Sequence, residues 1–199
     1  MQDVTFYKFI IYFNAGLPLA LMLFDWWSGR LGANPVEFFL RATGVIGLIF
    51  LLVSLLVTPL RRIFEWNGLI KYRRLISLIA FFYICVHLVT YSIFDKAGEL
   101  MLIAEDVIQR PFILVGMLAF LLMVPLAATS TNKMVKRLGG KNWARLHKLS
   151  YVVGVLGVLH FWMIVKSDLF YPVLFAAALS ALLGYRIYIK LKPKLRAVI

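Results

Sequence analysis

RRLISLIAFFYICVHLVTYSIF, residues 73–94, decides the fold. Two arginines open it, an apolar run follows, and the run carries a single histidine, His87, before it reaches Asp95. About 20 apolar residues wound at 1.5 Å each cross a hydrocarbon core of roughly 30 Å. The stretch reads as a membrane-spanning helix with a polar group held inside it.

Working outward, the same signature recurs over most of the 199 residues, 62% of which are hydrophobic. With a mean hydropathy of +0.87, the chain lies far outside the range of soluble proteins. Six spans are predicted, at Lys8–Trp27, Ala42–Leu60, Leu75–Phe94, Phe112–Thr129, Leu149–Val165 and Leu169–Tyr188. They leave no room for a soluble domain, so residues 1–199 are expected to form one all-α, polytopic bundle. The first span lacks a basic leader and a small-residue cleavage site, and is read as a mature helix rather than a signal peptide. Pro18 is expected to kink it.

The net charge of +13 follows the loops alternately. Lys8 and the clusters Arg61–Arg74, Lys133–Lys148 and Arg186–Arg196 fall on one side. Arg30, Arg41, Lys96, Arg110 and Lys166 share the other with Asp25, Glu37, Asp95, Glu99, Glu105, Asp106 and Asp168. The positive-inside rule then puts both termini in the cytoplasm. The basic excess is a topology signal first and a surface for anionic partners second. No basic and aromatic platform accompanies it, so nucleic acid is not expected as a partner.

Cys85 is the only cysteine, which excludes a disulfide framework, a CxxC pair and covalent haem attachment through CxxCH. HExxH, P-loop and dinucleotide-binding fingerprints are missing as well. The histidines carry the remaining chemistry. His87 lies about 20 Å beyond Arg74, and His160 about 18 Å beyond Lys148, on helices that run the same way. Both fall in the outer half of the membrane. Two neutral imidazoles facing each other at one depth are what a low-spin b-type haem requires, each binding iron through one nitrogen and donating a hydrogen bond from the other. The plainer alternative is a pair of histidines that hydrogen-bond across helix interfaces. Gly44, Gly47, Gly154 and Gly157 near that level either admit a flat macrocycle or serve ordinary small-residue packing.

His147 opens the fifth span about 20 Å below His160. Its counterpart below His87 is Arg73, which is a poor iron ligand but well suited to a propionate, a flavin phosphate or a quinone carbonyl. A 13-residue step on a straight helix also turns His147 about 140° away from His160. An inner cofactor or electron-accepting site at Arg73 and His147 is therefore weighed against positive-inside anchoring, with Trp143 and Tyr151 as an aromatic belt.

Two stretches, Arg73–Tyr91 and ATSTNKMVKRLGGKNWARLHKLSYVVGVLGVLH from Ala128 to His160, resemble the MsrQ (YedZ) family. GANPV at 32–36, ATG at 42–44, TPLRR at 58–62 and RPF at 110–112 fall in the expected order, so the resemblance spans nearly the whole chain. That family is the haem-bearing membrane subunit of a bacterial periplasmic methionine-sulfoxide reductase system, within the ferric-reductase-like transmembrane superfamily. The resemblance implies a multi-pass protein of the bacterial inner membrane that takes electrons from the quinone pool or a cytosolic flavin reductase. It would pass them through haem b to a periplasmic molybdopterin subunit, and have no substrate-reducing site of its own. It also implies His87, His147 and His160 as haem-associated residues and FMN as a further cofactor. After Gly44 the chain departs from the family pattern with Val-Ile-Gly-Leu.

Two rivals make different demands. A small transporter or channel would use the histidines as a proton relay. An intramembrane metalloenzyme would need all three to converge on one ion, against their vertical separation. The acidic loop from Asp95 to Arg110 is read either as a docking surface for the periplasmic partner or as a solvated loop.

Overall fold

The computed structural model describes residues 2–196, with side chains over 3–192; the side chains of Lys194 and Arg196 lie outside the described residues. Nine α-helices are described: α1 Gln2–Trp27, α2 Pro35–Ile63, α3 Ile70–Val89, α4 Leu100–Gln109, α5 Pro111–Ala128, α6 Asn132–Leu138, α7 Gly140–Leu146, α8 Leu149–Ile164 and α9 Phe170–Arg196. Six helical segments are long and apolar enough to cross a membrane: α1, α2, α3 with its extension, α5, α7 with α8, and α9. The protein is an all-α, multi-pass membrane protein.

The helices outrun the predicted spans because their polar ends are capped. Asn34 accepts from the Glu37 amide at 3.1 Å and donates to the Glu37 carboxylate at 3.0 Å, while Pro35 occupies the first turn. This reciprocal cap starts α2 seven residues before the apolar run at Ala42. At the other end α2 continues through Arg61 and Arg62, cations that suit a helix C-terminus. Thr131 caps α6 by accepting from the Met134 amide at 3.1 Å. Gly139, at φ +75°, makes the turn into α7.

α2 is the central helix. Its Leu48, Leu51, Leu52 and Leu55 pack against Ala80 of α3, Met123 of α5, Val153 and Val158 of α8, and Leu179 and Leu182 of α9. A smaller cluster ties α1 to α3 through Ala15, Leu75, Ile79 and Tyr83. The fully buried Tyr83 donates its hydroxyl to the Ala15 carbonyl, just before Pro18. Large apolar side chains such as Phe9, Phe13, Phe82 and Leu121 face outward. In lipid that exposure carries no hydrophobic penalty.

The chain crosses alternately between two ends. The clusters at 61–74, 133–148 and 186–192 gather at a basic end, and the loops after α1, α3 and α8 at an acidic end. Among the described residues every ion pair lies at the acidic end.

The Asp95–Arg110 segment differs from a solvated loop. α4 is amphipathic, and its Asp106 is turned inward, where Lys96 Nζ stands at 2.6 Å, Arg110 Nε at 3.4 Å and the donating Tyr91 hydroxyl at 3.1 Å. Asp106 and Lys96 side chains are only 11% and 15% exposed, so this is a clamp and not a surface charge pair. The Lys96 hydrogen bond holds the Asp106 carboxyl below its ordinary value of 3.8, and Asp106 in turn raises Lys96 above 10.5. Stability from the lowered carboxyl is complete above 3.8 and is lost as pH falls through the folded value. Stability from the raised amine is complete below 10.5 and is lost as pH rises through its folded value. Protease nicking within 96–110 should therefore be flat through neutral pH and rise in acid. Asp106→Asn should expose the segment at pH 7, because it leaves Lys96 with only the more exposed Asp95 carboxylate as partner. Wild-type resistance in that variant would demote the clamp to an incidental contact.

Candidate functional site

α3 and α8 bring His87 and His160 together, as the depth arithmetic predicts. Their ring centres lie 6.3 Å apart with planes at 89°. The His87 Nδ1 donates to the Leu40 carbonyl of α2 at 2.9 Å, and the His160 Nδ1 donates to the Phe112 carbonyl of α5 at 2.6 Å. A carbonyl oxygen only accepts, so the proton of each neutral ring sits on Nδ1 and leaves Nε2 bare. Among the described residues neither Nε2 has a hydrogen-bond partner, and no fully buried side-chain nitrogen is left without one, so neither Nε2 is fully sealed by protein.

An imidazole nitrogen binds a transition metal at about 2 Å with its ring centre roughly 1.1 Å behind, so two in line on one metal hold their centres about 6 Å apart. The observed spacing fits two imidazoles sharing one metal ion. Bases hydrogen-bonding directly to each other would sit closer than that. No group of three His, Cys, Asp or Glu side chains converges as a metal cage among the described residues, which removes the support for a three-histidine metal site.

The glycines divide between two roles. Gly44 and Gly116 lie against the imidazoles: a Cβ at Gly44 would stand 3.1 Å from His87 Nδ1, and one at Gly116 2.7 Å from His160 Nδ1. Gly47, Gly154 and Gly157 meet Ile84, Leu179 and Leu48 instead. Those three serve helix packing. Sequence reasoning misses Gly116, although a depth count along α5 sets it opposite His160. Immediately beyond His87 the helix widens into a π-helical turn, Thr90–Asp95, that no sequence signal announces. Such turns occur often at functional sites. A cleft lined by Asn34, Val36, Glu37, Leu40, Phe94 and Asp95 leads from the acidic surface to Leu40.

At the basic end Arg73 and His147 line one cavity, with Arg74, Ser54, Ser77, Ser130, Ser150 and Trp143 around them. His147 caps α7 just before α8 begins, and it lines this cavity together with Arg73 of α3. Thr129 spends its hydroxyl proton on the Pro125 carbonyl at 2.7 Å, so it accepts from His147 Nε2 at 3.1 Å. Trp143 stacks on the imidazole at 3.9 Å and donates to the Thr129 carbonyl at 2.9 Å. His147 is thus held with Nε2 engaged, unlike the outer pair. The serine hydroxyls at 54, 77, 130 and 150 all donate to backbone carbonyls of their own segments, leaving lone pairs to face the cavity. Arg74 donates to Asn132 at 2.6 Å, and Arg186 staples α9 to the Leu55 carbonyl of α2. Arg73 has no carboxylate partner among the described residues.

The bundle therefore has the build of a membrane redox module, with a two-imidazole site near one face and a cationic cavity near the other. Residues 43–158 match the family described as ferric reductase like transmembrane component. The chain is 45% identical over 188 residues to the protein-methionine-sulfoxide reductase heme-binding subunit MsrQ of Herminiimonas arsenicoxydans, covering 94% of this chain and 86% of that one. The subunit of the same name from Rhodospirillum rubrum is 50% identical over 160 residues, covering 80% and 77%, and that of Xanthomonas euvesicatoria 43% over 193, covering 94% and 88%. The chain belongs to the MsrQ family, within the ferric-reductase-like transmembrane proteins. No solved structure matches it.

Proposed function

We propose that this chain is the b-haem electron-transfer subunit of a methionine-sulfoxide reductase system in the bacterial inner membrane. One observation carries the reading: two imidazoles 6.3 Å apart whose Nδ1 protons are spent on backbone carbonyls and whose Nε2 atoms have no hydrogen-bond partner among the described residues. Haem held between His87 and His160 supplies reversible one-electron chemistry. The protein's part is to keep both ligands neutral, to orient them through Leu40 and Phe112, and to exclude water with the leucine core around Leu48.

The full length of the chain acts as one domain with both termini in the cytoplasm, since the basic end collects the loop cations. With that orientation Arg73 and His147 stand at the electron-accepting side. A guanidinium with no carboxylate partner among the described residues and a row of hydroxyl acceptors suit a planar donor with carbonyl or phosphate groups: a quinone, FMN, or the flavin of a cytosolic reductase. The outer pair and the cleft at Leu40 face the periplasm, where a molybdopterin subunit that reduces methionine sulfoxide receives the electrons. With Asp106 and Asp95 both engaged by Lys96, Glu99 and Glu105 are the acids of that segment free to meet it.

The experiment is vectorial. Vesicles carrying the chain, with reductant inside and an impermeant acceptor outside, should pass electrons outward in the wild type and fail to do so in His87→Ala. Outward transfer at the wild-type rate in that variant would refute the reading. Glu99→Gln with Glu105→Gln should slow delivery to the periplasmic subunit severalfold at low salt and leave it unchanged at high salt, because exposed charges act on encounter rate and are screened. A variant rate equal to wild type at low salt would remove this segment from the docking surface.

A further inference from the structure

Two helices of the bundle carry the same five-residue device. On α2 the Leu40 carbonyl accepts from His87 and Gly44 follows four residues later; on α5 the Phe112 carbonyl accepts from His160 and Gly116 follows four residues later. Residues four apart lie one above the other on a helix face. Each imidazole therefore lies along its neighbouring helix, tied at one end by its N–H and seated on bare backbone.

The seats are tight. A Cβ at Gly116 would lie 2.7 Å from both Cε1 and Nδ1 of His160, and one at Gly44 would lie 3.1 and 3.2 Å from Nδ1 and Cε1 of His87. No other described glycine has an imidazole atom among its nearest neighbours. The carbonyl sets the direction of the N–H bond, and the glycine sets how close the ring can lie and in what plane. With both conditions met, the two planes stand at 89°.

We propose that these two carbonyl–glycine cradles hold the axial ligands perpendicular, and that Gly44 and Gly116 are positioning residues for the electronic state of the iron between them. The inference rests on the reading of His87 and His160 as haem ligands. Perpendicular imidazole planes leave the two iron orbitals that interact with the rings nearly equal in energy, giving a strongly anisotropic low-spin ferric signal. Rotation toward a common plane splits those orbitals and gives a rhombic signal. The ring N–H to carbonyl bond also makes the ligand more electron-donating, which favours ferric iron.

The test is low-temperature electron paramagnetic resonance and redox titration of the oxidised, haem-loaded protein. The wild type should show the strongly anisotropic signal. Gly116→Ala should shift the largest g component toward the rhombic pattern and raise the midpoint potential, or release the ligand altogether. Gly44→Ala should do the same to a smaller extent, since its ring needs to give only a few tenths of an ångström. Gly154→Ala, which meets the tips of Leu179 at 3.2 Å and Leu55 at 3.6 Å and no imidazole atom among its nearest neighbours, controls for crowding inside the bundle and should leave signal and potential unchanged. If Gly116→Ala does not fold, Gly44→Ala decides alone by the same criterion. Wild-type signal and potential in both imidazole-facing variants would overturn the cradles while leaving the ligands in place. A wild-type protein that binds no haem would overturn the ligand reading and this inference with it.

Discussion

His87→Ala and His160→Ala should each lose the low-spin haem spectrum, whereas His147→Ala should keep it. Neither outer ring has a hydrogen-bond partner on Nε2 among the described residues, and each is fixed by a carbonyl bond on Nδ1. Removing such an outer partner of a metal ligand typically costs 10- to 100-fold in metal affinity, so removing the ligand itself should cost more than about 100-fold. His147 has Nε2 on Thr129 and its face on Trp143. Its loss should leave outer haem content within error of wild type while perturbing the basic-end cavity. Absorbance of protein purified from haem-replete cells separates these cases, and equal haem loss in all three variants would mean that the histidines act as one structural unit.

Arg73→Gln separates the two ends of the path. The guanidinium lines the basic-end cavity without a carboxylate partner among the described residues, which leaves it available to a donor's carbonyl or phosphate. A hydrogen bond to a charged group is worth about 1.5–3 kcal/mol, equivalent to roughly tenfold or more in donor affinity or reduction rate. Reduction from the cytoplasmic side should slow by at least that factor with the outer haem spectrum intact. Arg73→Lys should recover only part of the rate, because an ammonium keeps the charge but not the planar fork. Wild-type reduction kinetics in Arg73→Gln would return the residue to the role of membrane anchor.

Periodic physics is legible in the amino-acid sequence, and tertiary contact is not. Apolar length and alternating charge are one-dimensional signals, so six spans and two unlike ends can be read from residues 8–188 directly. The pairing of His87 with His160 follows from rise per residue alone, which holds because α3 and α8 are nearly regular there. The hydrogen bond of His147 to Thr129 and that of Trp143 to the Thr129 carbonyl are tertiary contacts, and the arithmetic does not carry them. Asp106 reads as a surface residue because an acid next to Glu105 shows no sign of its partner ten residues upstream, Lys96. Gly116 escapes notice for a related reason. A glycine reports space, and only the neighbouring helix shows what fills it.

A haem-binding histidine pair at membrane depth is tested most directly by a reduced-minus-oxidised visible spectrum of the purified wild-type chain. The expected result is a Soret band that shifts on reduction, together with the sharp bands of a six-coordinate low-spin b-type haem. A colourless preparation from haem-replete cells, or a high-spin spectrum unaffected by His87→Ala, would contradict it.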